Sequence, residues 1–154
     1  MRKRRELIEG ATYHIVARAN RGEMILGSDF FKELFLDVIR RAKKKYCFQF
    51  YNFCLMGNHI HFILHPLKGA KLSSIMQWIL SVFAQLYNRM LNLKGHVWYD
   101  RFKSKILNSL KNFLSTFIYV TYNPVKAGLV EDPVEYRYGG LYFWIHGKWE
   151  FFKP

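Results

Sequence analysis

Two cysteines are all this sequence has, and their spacing builds nothing familiar. Cys47 and Cys54 fall on one predicted strand at a separation that fits neither a zinc knuckle nor a C-x-x-C redox pair. Both are read as reduced core or near-core side chains. Acidic residues are also few: 11 Asp and Glu against 24 Lys and Arg leave a formal charge of +13. That imbalance points to a polyanionic partner, nucleic acid before an anionic membrane surface. No stretch approaches the ~20 unbroken apolar residues of a membrane-spanning helix. The start, Met1-Arg2-Lys3-Arg4-Arg5-Glu6, is basic but no apolar segment follows it, which argues against a secretory signal and makes the cytoplasm the expected location. Internal repeats, linkers and low-complexity tracts are absent too. The 154 residues are therefore read as one domain, large enough for a hydrophobic core without disulfides or structural metal.

What the sequence does have is apolar periodicity and aromatics, the latter 18% of the chain. Residues 11–19 alternate as a strand, with Tyr13, Ile15 and Ala17 on one face and His14, Val16 and Arg18 on the other. His14 is read there as sheet-face packing. Asn20-Arg21-Gly22 ends this strand. Ser28 or Asp29 caps a helix running to about Lys45, with Phe31, Leu34, Phe35, Val38 and Ile39 as its buried stripe. Strands over 47–56 and 59–65 pair as a hairpin through Gly57-Asn58, and His65 beside Pro66 closes the second. A long amphipathic helix spans about 71–93 and a fourth strand 97–107. A third helix starts near Ser109 or Leu110 and is expected to stop by Asn123, because Pro124 disfavours helical geometry in the residue before it. Residues 131–154 read as a loop-rich tail. The order strand, helix, strand, strand, helix, strand predicts an α+β, ferredoxin-like split βαβ sandwich, an antiparallel sheet with helices on one face plus an extra C-terminal tyrosine-bearing helix.

The chemistry is concentrated in Leu55-Met56-Gly57-Asn58-His59-Ile60-His61-Phe62-Ile63-Leu64. Strand alternation places His59 and His61 on one face and Ile60 and Phe62 on the other, so two imidazoles stand side by side as a metal or phosphate site requires. In the third helix Tyr119 and Asn123 are four apart, one turn from each other on the same side.

The segments Met56-Gly57-Asn58-His59-Ile60-His61-Phe62 and Tyr119-Val120-Thr121-Tyr122-Asn123-Pro124-Val125-Lys126-Ala127-Gly128-Leu129-Val130, in this order and separation, resemble the single-tyrosine HUH transposases, and among them the REP-associated tyrosine transposases. Tyr13-His14-Ile15-Val16-Ala17-Arg18, Arg101-Phe102-Lys103-Ser104 and Tyr136-Arg137-Tyr138 extend the resemblance over nearly the whole chain. Gly57 where proline is frequent, Tyr99-Asp100 before Arg101 and Gly139-Gly140 after Tyr138 depart from it. The resemblance implies an enzyme that cuts and rejoins single-stranded DNA, at hairpin-containing sites, through a 5′-phosphotyrosine. It implies Tyr119 as nucleophile, with Tyr122 as fallback, and His59, His61 and Asn123 as ligands of a divalent metal, Mg²⁺ or Mn²⁺. Arg18, Arg21, Arg101, Lys103 and Lys105 are candidate phosphate contacts, and Trp98, Tyr99 and Phe102 candidate stacking platforms. No carboxylate base is evident. Monomer and homodimer remain open, as does the alternative of a domesticated DNA-hairpin or RNA binding module without strand transfer.

Overall fold

The computed structural model describes residues 8–154, so the basic segment expected to lack a secretory signal lies outside the described residues. Four strands, β1 (Tyr13–Arg18), β2 (Phe48–Leu55), β3 (His59–Pro66) and β4 (Lys103–Ile106), form one antiparallel sheet in the order β2-β3-β1-β4. Helix α1 (Asp29–Lys45) joins β1 to β2 and α2 (Leu72–Leu91) joins β3 to β4, the α+β arrangement expected from the element order. Helix α3 (Leu110–Lys126) and the short α4 (Gly140–Ile145) follow. Among the described residues no helix is long and apolar enough to cross a membrane.

Alternation along the strands sorts their side chains onto two faces. Ile15, Ala17, Ile60, Phe62 and Leu64 face α1 and α2 and are fully or almost fully buried there. Phe35 of α1 is the hub of that core, its ring centroid 5.1 Å from Phe83 and 6.1 Å from both Phe62 and Trp98. Each such ring contributes roughly 2 to 3 kcal/mol by leaving water. On the opposite face Cys54, Met56 and Ile63 pack against Val120 of α3, with Phe113 and Phe117 alongside.

A bulge in β2 between Phe50 and Asn52 shifts the alternation by one residue. Phe48 and Phe50 face the α1–α2 core before it, and Phe53 and Leu55 after it. Asn52 and Cys54 are thereby turned toward α3. Both cysteines are free, as expected.

Three boundaries differ from the sequence reading. The fourth strand is Lys103–Ile106 rather than 97–107. Val97 and Phe102 are buried and Trp98 packs on Phe83, so the apolar content of 97–102 reflects packing, not a ladder. That segment is tied down by Asn20 N–H donating to Val97 O at 2.8 Å, Tyr99 N–H to Arg18 O at 2.9 Å and Trp98 Nε1–H to Leu80 O at 2.9 Å. Second, α3 runs through Pro124 to Lys126 instead of stopping at Asn123. The proline's own φ suits a helix, and so near the end it removes only one backbone bond. Beyond it Ala127 N–H reaches Asn123 O and Leu129 N–H reaches Pro124 O.

Third, the tail is built rather than loop-rich. It contains α4 and two 3-10 turns, Pro133–Glu135 and Trp149–Phe151, and inserts Tyr138, Phe143 and Phe151 into the main core. This extra layer covers a flank of α1, which is why Lys32 and Leu36 are buried beyond the expected stripe while Phe31 and Leu34 are only partly covered. Arg40 lies 4.9 Å over the Phe151 ring, and the Tyr138 hydroxyl donates to Glu33 at 3.2 Å.

Candidate active site

His59 and His61 share the α3 face of β3, opposite Ile60 and Phe62, as the alternation requires. The strand register sets their neighbours: His59 pairs with Arg18 and His61 with Val16 across β1. One strand further, Val16 pairs with Lys103 and His14 with Lys105. Cross-strand partners project from the same side of a sheet. His14, Arg18, Lys103 and Lys105 therefore stand on the histidine face, and α3 covers its β2–β3 half.

The centre is a cluster of rings. His59 and His61 have centroids 5.1 Å apart at 81°, and the Tyr119 ring meets His61 at 5.6 Å and His14 at 6.1 Å, both edge-on. His14 and His61 lie nearly parallel at 5.3 Å, with His14 Nε2 and His61 Nδ1 3.1 Å apart. The Asn123 side chain comes near enough to the His59 ring to favour its protonated form, so both ends of the α3 turn 119–123 reach the His59/His61 pair. His59 Nδ1 also bonds Asn58 Oδ1 at 2.7 Å. Among the described residues no ring contact links Tyr122, which is exposed, to either histidine of the pair.

Helix α3 is held over the sheet by a buried amide. Asn52 Nδ2 donates to Phe117 O at 3.2 Å and to Thr121 Oγ1 at 2.9 Å, while its Oδ1 accepts from Phe53 N–H at 2.9 Å. At its start, within the expected Ser109–Leu110 boundary, Ser109 Oγ accepts from Asn112 N–H at 3.0 Å as an N-cap. Val120 is fully buried beneath the helix, whereas Tyr119 remains 46% exposed. The phenol thus borders both the imidazoles and solvent.

Electrostatics keep the imidazoles neutral. His61 is only 2% exposed, and burial, reinforced by His14, His59 and Arg18, pushes its pKa down to about 3. Burial and Arg18 lower His59 despite the opposing influence of Asn123, and burial with Lys105 lowers His14. Neutral rings present lone pairs. His61 Nε2 is buried with no hydrogen-bond partner in the protein, an atom that a ligand would satisfy. No group of three or more His, Cys, Asp and Glu side chains is placed to hold a metal ion among the described residues. A cation here would rest on two imidazoles and an amide, with positions left for phosphate oxygens and water.

The remaining expected residues divide. Arg18, Lys103 and Lys105 flank the cluster, exposed. Arg21 is exposed in the turn after β1, at φ 56, and lines a pocket of about 300 Å³ with Arg18, Asn58 and Tyr99. Arg101 is exposed on the loop before β4. Phe102 is a correction: at 5% exposure it belongs to the main core and offers no free face to a base. Trp98 is likewise committed to packing, which leaves Tyr99, at 70% exposure, as the available platform. His65 bonds Thr12 Oγ1 at 3.0 Å, a strand-end contact as expected. His14 was read as packing, yet it touches both His61 and Tyr119. Its parity with Val16 and Arg18 was legible, but only the register of β1 on β3 reveals the meeting.

Known proteins share this fold. A REP-associated tyrosine transposase bound to a REP hairpin superposes with a TM-score of 0.79 over 100% of this chain and 88% of its own, at 20% identity. A Deinococcus radiodurans protein assigned as a transposase gives 0.53 over 77% of this chain and 96% of its own, at 13% identity. At such identities the likeness is one of fold. No curated protein matches the sequence. The family described as "Transposase IS200 like" does match, over residues 8–123. Because that span holds all four strands, His59, His61, Tyr119 and Asn123, the chain belongs to the IS200-like transposase family.

Proposed function

We propose that this chain cleaves and rejoins single-stranded DNA, at sites that contain a hairpin, with Tyr119 as nucleophile and a divalent cation held by His59, His61 and Asn123. The observation that carries the reading is the meeting of the Tyr119 ring with His61, whose Nε2 is buried without a partner. A transposase of the same fold is described bound to a hairpin, and the family match supports the same substrate class.

A cation such as Mg²⁺ or Mn²⁺, when bound, neutralises charge developing on the phosphate and favours the phenolate form of a tyrosine, whose free pKa is about 10. The protein supplies the rest. Tyr119 gives up its proton and its oxygen attacks phosphorus, forming a P–O bond to the phenol as the P–O3′ bond breaks. The departing 3′ oxygen takes up a proton, leaving a 5′-phosphotyrosine and a free 3′-hydroxyl. The covalent link conserves the phosphodiester, so attack by a 3′-hydroxyl reseals DNA without ATP. His59 and His61, kept neutral by burial, retain the lone pairs this task needs. Arg18, Lys103 and Lys105 provide a basic shelf for the strand's phosphates beside the phenol.

The β1–β4 half of this face, beyond α3 among the described residues, carries His14, Val16, Arg18, Lys103 and Lys105. An RNA-recognition sheet stacks bases on its strand aromatics. Cations and an aliphatic suit phosphate tracking instead, which favours the transposase reading over a binding module.

A single-stranded oligonucleotide with a hairpin, incubated with Mn²⁺, is expected to give an SDS-resistant protein–DNA adduct. The adduct disappears in Tyr119→Phe and in His59→Ala. Its persistence in Tyr119→Phe would overturn the nucleophile assignment in favour of Tyr122 or of water.

A further inference from the structure

We infer that His14 is a positioning residue: its Nε2 accepts the Nδ1 proton of His61 and so holds that imidazole in the tautomer whose Nε2 lone pair is free to bind a cation. The inference rests on the metal reading of the β3 pair and adds to it a residue outside the ligand set.

Two neutral imidazoles whose nitrogens lie 3.1 Å apart share one proton, and only two arrangements are open to them. If His14 donated, His61 would carry its proton on Nε2, as a buried N–H without an acceptor. Orphaned buried N–H groups are rarer in proteins than under-satisfied acceptors. If His61 donates from Nδ1, its Nε2 is a bare lone pair on a ring that meets Tyr119, and His14 carries its proton on Nδ1. The ring planes differ by 6°, so the N–H of one points in the plane of the other, the alignment such a bond prefers.

His59 repeats the pattern independently. Asn58 Oδ1, 2.7 Å from His59 Nδ1, can only accept, which fixes the proton on Nδ1 and leaves Nε2 bare. Each imidazole of the pair therefore has its own acceptor behind it, an amide for His59 and a third histidine for His61. Ligating histidines are typically oriented by such a bond from the other ring nitrogen.

Two measurements test this. In long-range ¹H–¹⁵N spectra of the metal-free protein near neutral pH, His61 is expected as the Nδ1–H tautomer with a pyridine-like Nε2. In calorimetric titration with Mn²⁺, without DNA, His14→Phe keeps a ring beside Tyr119 but removes the acceptor, and is expected to weaken binding roughly 10- to 100-fold. His14→Gln, which can restore an acceptor near the lost Nε2, is expected to recover most of the affinity. An Nε2–H tautomer for His61 in the wild-type protein would overturn the inference. So would unchanged affinity in His14→Phe, or an equal loss in folded His14→Gln and His14→Phe. A variant that loses its amide dispersion is unfolded, and the wild-type spectrum then decides. If the wild-type protein binds no Mn²⁺, the metal reading fails by itself, while the tautomer still reports on His14.

Discussion

Asn52 is 1% exposed and spends both ends of its amide on structure, two bonds to α3 and one to its own strand. Replacing it by Leu leaves Phe53 N–H buried without an acceptor and releases Thr121, a loss of about 2 to 3 kcal/mol. Urea unfolding is expected to show that fall in midpoint. The same joint explains Gly140, where an added Cβ would sit 2.2 Å from Asn52 Oδ1 and 3.2 Å from Phe53 N. Gly140→Ala therefore displaces the amide and costs roughly 1 to 3 kcal/mol, and the two losses should not add in the double variant. His61 makes a second prediction. Unfolded, its ring takes up a proton near pH 6.5; folded and metal-free, facing His14, His59, Arg18 and Tyr119, it resists until about 3. The unfolded state binds more protons in that window, so stability is full above it and falls as pH drops. The slope for this one group is about 1.4 kcal/mol per pH unit. His14 and His59, also lowered, steepen the upper part. Urea midpoints across an acid series check the sign, and a flat series would contradict it.

At the level of elements, the start of α3 was legible and its end was not. Ser109 announces the helix because a side-chain oxygen there satisfies a backbone N–H that no carbonyl can reach. Ser109→Ala is expected to cost about 1 kcal/mol, read as a shift in thermal midpoint. Pro124 misled because the bias it exerts on Asn123 is a local preference, and burial of Val120 and the proline itself outweighs it. The consequence is geometric: Asn123 stays helical, so it remains one turn from Tyr119 and on the same side. The tail was illegible for a different reason. A helix of six residues between 3-10 turns is shorter than one period-reading window, so Phe143 and Phe151 carry no pattern that marks them as core. β1, α1, the hairpin and α2, by contrast, are long enough for alternation or helical spacing to identify them within a few residues.

Across the whole molecule, the sequence specified which residues share a face and, through the split βαβ order, which strands adjoin, but not the register that sets side chains opposite one another. Parity placed His14 with Arg18, and His59 with His61, yet the register of β1 on β3 is what brings the two sets together. The charge of +13 also acts at this scale. Affinity for single-stranded DNA is expected to fall linearly with the logarithm of salt, and Lys103→Ala and Lys105→Ala should each reduce the slope by about 0.7. Phe102→Leu, a core change, should leave that slope unaltered while lowering stability, a contrast filter binding can measure. The three rings that meet around His61 come from positions 14, 59 and 119, and the Gly139–Gly140 segment that packs on β2 at Asn52 and Cys54 comes later still. A ribosome therefore releases the imidazoles of β1 and β3 well before the phenol. A chain cut short before α3 keeps the imidazoles of β1 and β3 without Tyr119 or Asn123, and under the proposed reading it forms no adduct with DNA.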